Sequence, residues 1–219
     1  MSSRTSYRLS GIALLVGSLL AGIYYVLQAF LPGTDAQTIL SPMAVISSYI
    51  GLIGSVFLLL GLPGMYARQA ERAGLLGLLG FLFTWYITLM QGVIIPFTTV
   101  TISSQVGAHL VPQAAAMTPP PSWAPFFMLS MVSQVIGMPL LAVATLRARV
   151  FPRWIGWTLL GTLVVGVASM LPFMPEGVSN LAAVIGSVAT AGYGFALLGS
   201  QPLERTQPMV TSTEAAAQG

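Results

Sequence analysis

The chain of 219 residues contains no cysteine and no lysine, has a single histidine, and carries charge on only 6% of its residues. Each scarcity removes chemistry. Without cysteine there is no disulfide, no thiolate nucleophile and no thiolate metal site. Without lysine there is no attachment point for retinal, and His109 alone cannot supply two axial ligands to a haem within one chain. The acids are Asp35, Glu71, Glu176, Glu204 and Glu214, all outside the long apolar runs. That placement argues against carboxylate-coupled proton or cation transport and against two-metal phosphoryl chemistry. A zinc protease, an intramembrane Ser-His-Asp triad and a voltage sensor fail on the same shortage. The expectation is therefore no metal and no cofactor.

Apolar residues dominate what is present: 55% of the chain, with a mean hydropathy of +0.85. A helix needs roughly 20 apolar residues to cross about 30 Å of hydrocarbon. Runs of that size occur at 9–30, 42–62, 74–98, 123–146, 154–174 and 179–199. They predict an all-α integral membrane protein, a six-transmembrane-helix bundle over residues 1–200, followed by a polar, disordered cytoplasmic tail over 201–219. Ser41-Pro42 reads as a capping hydroxyl before a first-turn proline, and Ser122 and Ser179 read as caps of the fourth and sixth helices. The first run is too long for the 7–15-residue core of a cleaved signal peptide and reads as a retained anchor.

All eight strong bases are arginine, and six crossings place every one of them on the same side. Arg4 and Arg8 precede the first run, Arg68 and Arg72 separate the second from the third, Arg147, Arg149 and Arg153 separate the fourth from the fifth, and Arg205 follows the sixth. By the positive-inside rule both termini are cytoplasmic, in a multi-pass protein of the inner, cytoplasmic membrane. Arg147, Arg149 and Arg153 are also candidates for gripping anionic lipid headgroups through the planar guanidinium fork. The sequence pI of about 9.6 does not indicate nucleic acid, because the arginines are scattered among short segments with no aromatic platform beside them.

Small residues recur every fourth position at Ala13, Gly17 and Ala21, at Ser47, Gly51 and Ser55, and at Ala182, Gly186, Thr190 and Gly194; Gly74, Gly77 and Gly80 follow a three-residue spacing. In lipid such faces allow backbones to approach, so they predict buried helix contacts, a homo-oligomer or a membrane-protein partner. The one other long connection, 101–122, reads as an outer connector containing a short interfacial helix near Ile102, Val106, His109, Leu110 and Val111.

The intramembrane polar groups are amides, hydroxyls and phenols gathered towards the outer halves of the first four spans. An amide in hydrocarbon must find a partner or face a cavity. Tyr24, Tyr25, Gln28, Ser48, Tyr49, Gln91, Ser130, Ser133 and Gln134 are accordingly the candidate ligand-binding residues. The expected function is non-enzymatic: binding a lipid- or isoprenoid-like ligand, or a membrane partner, in the outer half of the bundle. One alternative is a transporter or channel subunit for a small uncharged solute. Another is an outer-surface enzyme acting on a lipid, with His109 as a general base between Asp35 and Glu176.

Two stretches carry a resemblance: Gly61-Leu-Pro-Gly-Met-Tyr-Ala-Arg-Gln-Ala-Glu-Arg-Ala-Gly74, which reads as the link between the second and third spans, and Val150-Phe-Pro-Arg-Trp-Ile-Gly-Trp157. With the chain length and span pattern, they make the chain resemble a group of small, uncharacterised bacterial polytopic membrane proteins. The resemblance implies a bacterial cytoplasmic membrane and brings no activity with it. Physically, the same stretches set arginines beside interfacial Tyr66, Trp154 and Trp157.

Overall fold

The structure, a computed structural model, describes residues 3–31, 36–109, 121–169, 171, 173–174 and 177–199. Among the described residues it is helical without strands: α1 (Ser3–Ala29), α2 (Ala36–Ile39), α3 (Pro42–Ile87), a π-helical stretch (Thr88–Ile94), α4 (Ile95–Gly107), a 3-10 turn (Pro121–Trp123), α5 (Ala124–Ala148), α6 (Arg153–Ala168) and α7 (Gly177–Leu198). Among the described residues, four helical stretches are long and apolar enough to cross a membrane: Thr5–Ala29, Pro42–Gly107, Pro121–Ala148 and Gly177–Leu198. The chain is thus an apolar helical membrane protein. α6 is equally apolar but has 16 residues, which reach about 24 Å at 1.5 Å per residue.

The stretch Pro42–Gly107 has 66 residues and reverses direction at Gly74, where φ is 57° and ψ is −152°. That conformation is open to glycine and strained for any residue with a Cβ. The two arms run antiparallel: Tyr66 stacks on Phe81 with ring centroids 4.8 Å apart, and further along Gly92 backs directly onto Ser55. The segment from Gly61 to Ala73, expected to be a connection, is instead helix. Met, Gln, Glu, Arg and Ala are strong helix formers, and Pro63 withholds a single main-chain donor, so one glycine suffices for the turn.

Other boundaries also differ from the sequence reading. Helix continues past residue 98 to Gly107, taking in Ile102 and Val106; Leu110 and Val111 lie outside the described residues. α6 stops at Ala168 rather than 174; the sequence beyond it contains Pro172 and Pro175, residues without a main-chain donor. Ser41 caps α3 as expected, accepting from the Ala44 N–H at 3.2 Å. Ser122 instead sits within the 3-10 turn before α5, and Ser179 lies inside α7, which begins two residues earlier.

Six segments, α1, the two arms about Gly74, α5, α6 and α7, each pack against their neighbours and close into a ring, with α7 returning to α1. The small-residue faces make these contacts. Gly17 lies against Gly54 and Leu58, Gly51 seats the Tyr24 ring, and Gly80 meets the Leu141 backbone, where an added Cβ would stand 2.5 Å from the amide nitrogen. Gly11 and Gly194 bring α1 and α7 together backbone to backbone.

The antiparallel order gathers the start of α1, the Gly74 turn and the α5–α6 turn at one end of the ring. Arg8, Arg68, Arg72, Arg147, Arg149 and Arg153 therefore share that end, and Arg68 lies over the Tyr7 ring at 6.0 Å. Just inside it, Leu14, Leu62, Met65, Leu141, Ile155 and Leu197 meet in a buried cluster that fills the ring's centre. Close packing there excludes water and leaves the opposite half as the place for a cavity.

Candidate functional site

Above this plug the ring encloses a cavity of about 500 Å³ to which all six segments contribute. Tyr25 comes from α1, Ser55 from the first arm, Gln91 from the π-helical stretch, Gln134 from α5, Thr162 from α6 and Thr190 from α7. Among the described residues its lining holds no charged side chain. A second cavity of about 600 Å³ shares Ser169 and Ser179 with the first and continues it away from the arginine-bearing end. Tyr24, Gln28, Thr38, Thr99 and Asn180 supply the polar groups there.

Six of the hydroxyls in the central cavity have a common arrangement. Thr84 donates to the Gly80 carbonyl, Thr88 to Thr84, Thr162 to Thr158, Ser169 to Gly166, Ser187 to Ala183 and Thr190 to Gly186, at 2.7–3.0 Å. A hydroxyl has one proton and two lone pairs, so each of these groups, its proton committed to its own helix, offers the cavity acceptors. Donors come from the amides and from Tyr25. Gln91 Nε2 donates to Gln134 Oε1 at 3.3 Å, which leaves the Gln134 amide protons available. Such a wall favours a neutral group that donates hydrogen bonds. An anion would face lone pairs in a low dielectric, and a cation would find no counter-charge.

Gln91 lines the cavity from within the widened stretch of helix. Pro96 has no N–H to give the carbonyl a turn before it, and the preceding seven residues, Thr88–Ile94, adopt i→i+5 bonding. Single π-turns of this kind rotate following side chains and recur at functional sites.

The residues singled out from the sequence divide by location. Tyr25, Gln91 and Gln134 line the central cavity; Tyr24 and Gln28 line its continuation, where Gln28 Nε2 lies 3.5 Å from Ser47 Oγ. Ser48 is buried outside both linings, and Tyr49 is 50% exposed on the outside of the ring. Ser130 and Ser133 are buried, their hydroxyls unpartnered, also outside both linings. Arg147, Arg149 and Arg153 are exposed, and Arg149 ends α5 in the left-handed region at φ 52°. His109 is exposed in the turn after α4 with φ 57°. Asp35 and Glu176, the carboxylates expected beside it, lie outside the described residues, as does the tail 201–219.

At the plugged end lies a polar cluster of which the sequence signals only the intramembrane Tyr193, not Gln69 or Thr145. Tyr193 and Thr145 share a hydrogen bond of 2.5 Å between their hydroxyls, and Thr145 Oγ1 lies 3.5 Å from Gln69 Oε1. All three are buried, and Gln69 Nε2 has no partner. Phe151 meets the Tyr193 ring edge-on at 4.9 Å. Gln69 sits among arginines in what reads as a connection, so nothing local signals its burial. Ser187 and Thr190 of α7 are legible in the sequence as intramembrane hydroxyls, but they stand among small neighbours that read as packing rather than as part of a site.

Together the ring and its cavity define a class: a helical membrane protein with an internal chamber lined, among the described residues, by apolar and uncharged polar side chains. Comparison with protein families, with curated proteins and with solved structures gave no match.

Proposed function

We propose that the protein crosses the cytoplasmic membrane six times with its arginine-bearing end inside, and that its central cavity binds an uncharged amphiphile bearing a hydroxyl or similar donor. A glyceride or a long-chain alcohol of the isoprenoid type has that chemistry. The observation that carries the reading is the lining itself: neutral, rich in acceptors, and contributed by every segment of the ring. The role is binding rather than catalysis, since among the described residues the lining holds no Asp, Glu, His, Lys or Arg to move a proton. Six crossings agree with the hairpin at Gly74 and with the six described arginines at one end.

Passage of a small uncharged solute is the second reading, favoured by the way the outer cavity prolongs the central one. The packed cluster of Leu14, Leu62, Leu141 and Leu197 opposes it, because it fills the other end with close-packed apolar side chains around Tyr193. A partner-binding role draws less support, as the small-residue faces are occupied inside the ring.

Native mass spectrometry after gentle extraction tests the proposal. The expected result is a one-to-one neutral-lipid adduct that is lost when Gln28, Gln91 and Gln134 are all replaced by leucine. A wild-type protein free of adducts and unresponsive to added diacylglycerol or prenol would sink it, and so would an adduct retained undiminished by the triple variant.

A further inference from the structure

On the outside of the ring, α1 and α7 border an apolar groove of about 620 Å³ lined by Leu19, Ile23, Val26, Val188 and Phe195 among others. Ser187 belongs both to this groove and to the central cavity. At this height the partition between lipid and cavity is one side chain thick and built of small residues: Ala21 and Gly22 on α1, Ala183 and Ser187 on α7. The two helices fit tightly lower down, where an added Cβ on Gly11 would stand 2.9 Å from the Gly194 carbonyl oxygen. They fit loosely at the partition, where a Cβ on Gly22 would meet only Ser187 Cβ, at 3.8 Å.

A second observation marks the same place. Ser18, 3% exposed, lines the groove, and its hydroxyl has no hydrogen-bond partner. Serines on membrane helices ordinarily donate to a carbonyl of their own helix, as Ser187 does. An unpaired hydroxyl in an otherwise apolar groove is costly unless something there completes it.

We infer that the α1–α7 seam is a lateral portal, through which the uncharged head of a membrane lipid passes from the bilayer into the cavity while its apolar chain stays in the outer groove. This rests on the binding reading above and adds to it a route and an orientation. The tight Gly11–Gly194 contact serves as the pivot, the partition beside Gly22 is the part that parts, and the hydroxyls of Ser18 and Ser187 are the polar steps along the way. A lipid arriving from the side never has to cross the plug. The groove matches the tail for the same reason the cavity matches the head: one is apolar, the other is made of neutral acceptors.

The absence of native cysteine permits a reversible test. Gly22→Cys with Ser187→Cys places two Cβ atoms at about the 3.8 Å that disulfides prefer, so oxidation staples the portal and dithiothreitol releases it. The probe is a diacylglycerol with a photoreactive diazirine in one acyl chain, presented in phosphatidylcholine vesicles. Site-specific labelling is the fraction abolished by Gln91→Leu with Gln134→Leu. The reduced protein is expected to label within minutes, the oxidised protein at least about tenfold more slowly, and protein loaded before oxidation to keep its ligand. Ser18→Ala should weaken labelling by roughly two- to tenfold, the worth of one hydrogen bond, without lowering thermal stability. Equal rates in oxidised and reduced protein overturn the portal and leave the cavity reading standing; absence of site-specific labelling in wild-type protein overturns both. If the cysteine pair fails to oxidise, Gly22→Leu, which fills the seam, replaces it with the same expected slowing.

Discussion

Tyr193 on α7 and Thr145 on α5 join hydroxyls across 2.5 Å at the plugged end, tying together two helices that are not neighbours in the ring. Replacing Tyr193 with phenylalanine keeps the ring's edge-on contact with Phe151 and removes only the hydroxyl. The expected loss is about 1 kcal/mol of stability, the scale of an interhelical hydrogen bond in a membrane. Unfolding in mixed micelles with a graded denaturing detergent measures it. A variant as stable as wild type would mean that the bond contributes nothing net.

The Gln91–Gln134 bond ties the π-helical stretch to α5. A double-mutant cycle with leucine at each position should return a coupling of about 0.6 kcal/mol, with about 1.7 kcal/mol as the ceiling known for such pairs. Coupling near zero would indicate that each amide serves the cavity independently.

Two glycines are needed for different physical reasons. Gly74 has open space where a Cβ would go but holds φ at 57° and ψ at −152°, so Gly74→Ala is expected to cost about 1–3 kcal/mol through backbone strain alone. Gly80 has ordinary helical geometry but no room against Leu141. Gly80→Ala should therefore cost about 1–3 kcal/mol through displacement of α5. Truncating Leu141 to alanine as well cannot relieve Gly80→Ala, since the clash is with backbone; stability restored by that second change would contradict the contact.

Six crossings make a sharp prediction for labelling. Single cysteines at exposed Glu71, Arg149, His109 and Phe173 should react with a membrane-impermeant maleimide in two groups. Those at 71 and 149 should label only from the inside, and those at 109 and 173 only from the outside. Position 173 decides whether the short α6 completes a crossing; labelling from the inside would make it re-entrant.

The class of this protein, an apolar helical membrane protein, was legible from composition alone. A chain with 6% charge and 55% apolar residues has to satisfy its backbone inside lipid, and helices do that locally. Ser41-Pro42 set the start of α3 for the same local reason, and the glycine stripes announced close helix contacts. These are properties of short stretches, readable from spacing.

What the tertiary structure decided was which polar groups meet. Ser48, Tyr49 and Gln91 looked equivalent in sequence, yet the ring's closure sent Gln91 into the cavity, Ser48 into a helix contact and Tyr49 outward. Gln69 became buried because the helix ran on to Gly74, and Thr145 and Tyr193 were brought to it from 76 and 124 residues away in the chain. The first and last helices touch backbone to backbone at Gly11 and Gly194 but meet only loosely at Gly22 and Ser187, a difference that neither helix's own sequence states. Periodicity fixes which face of a helix is small or polar, but only packing of all six segments determines what that face looks upon, because the free energy of each contact depends on the neighbour that arrives.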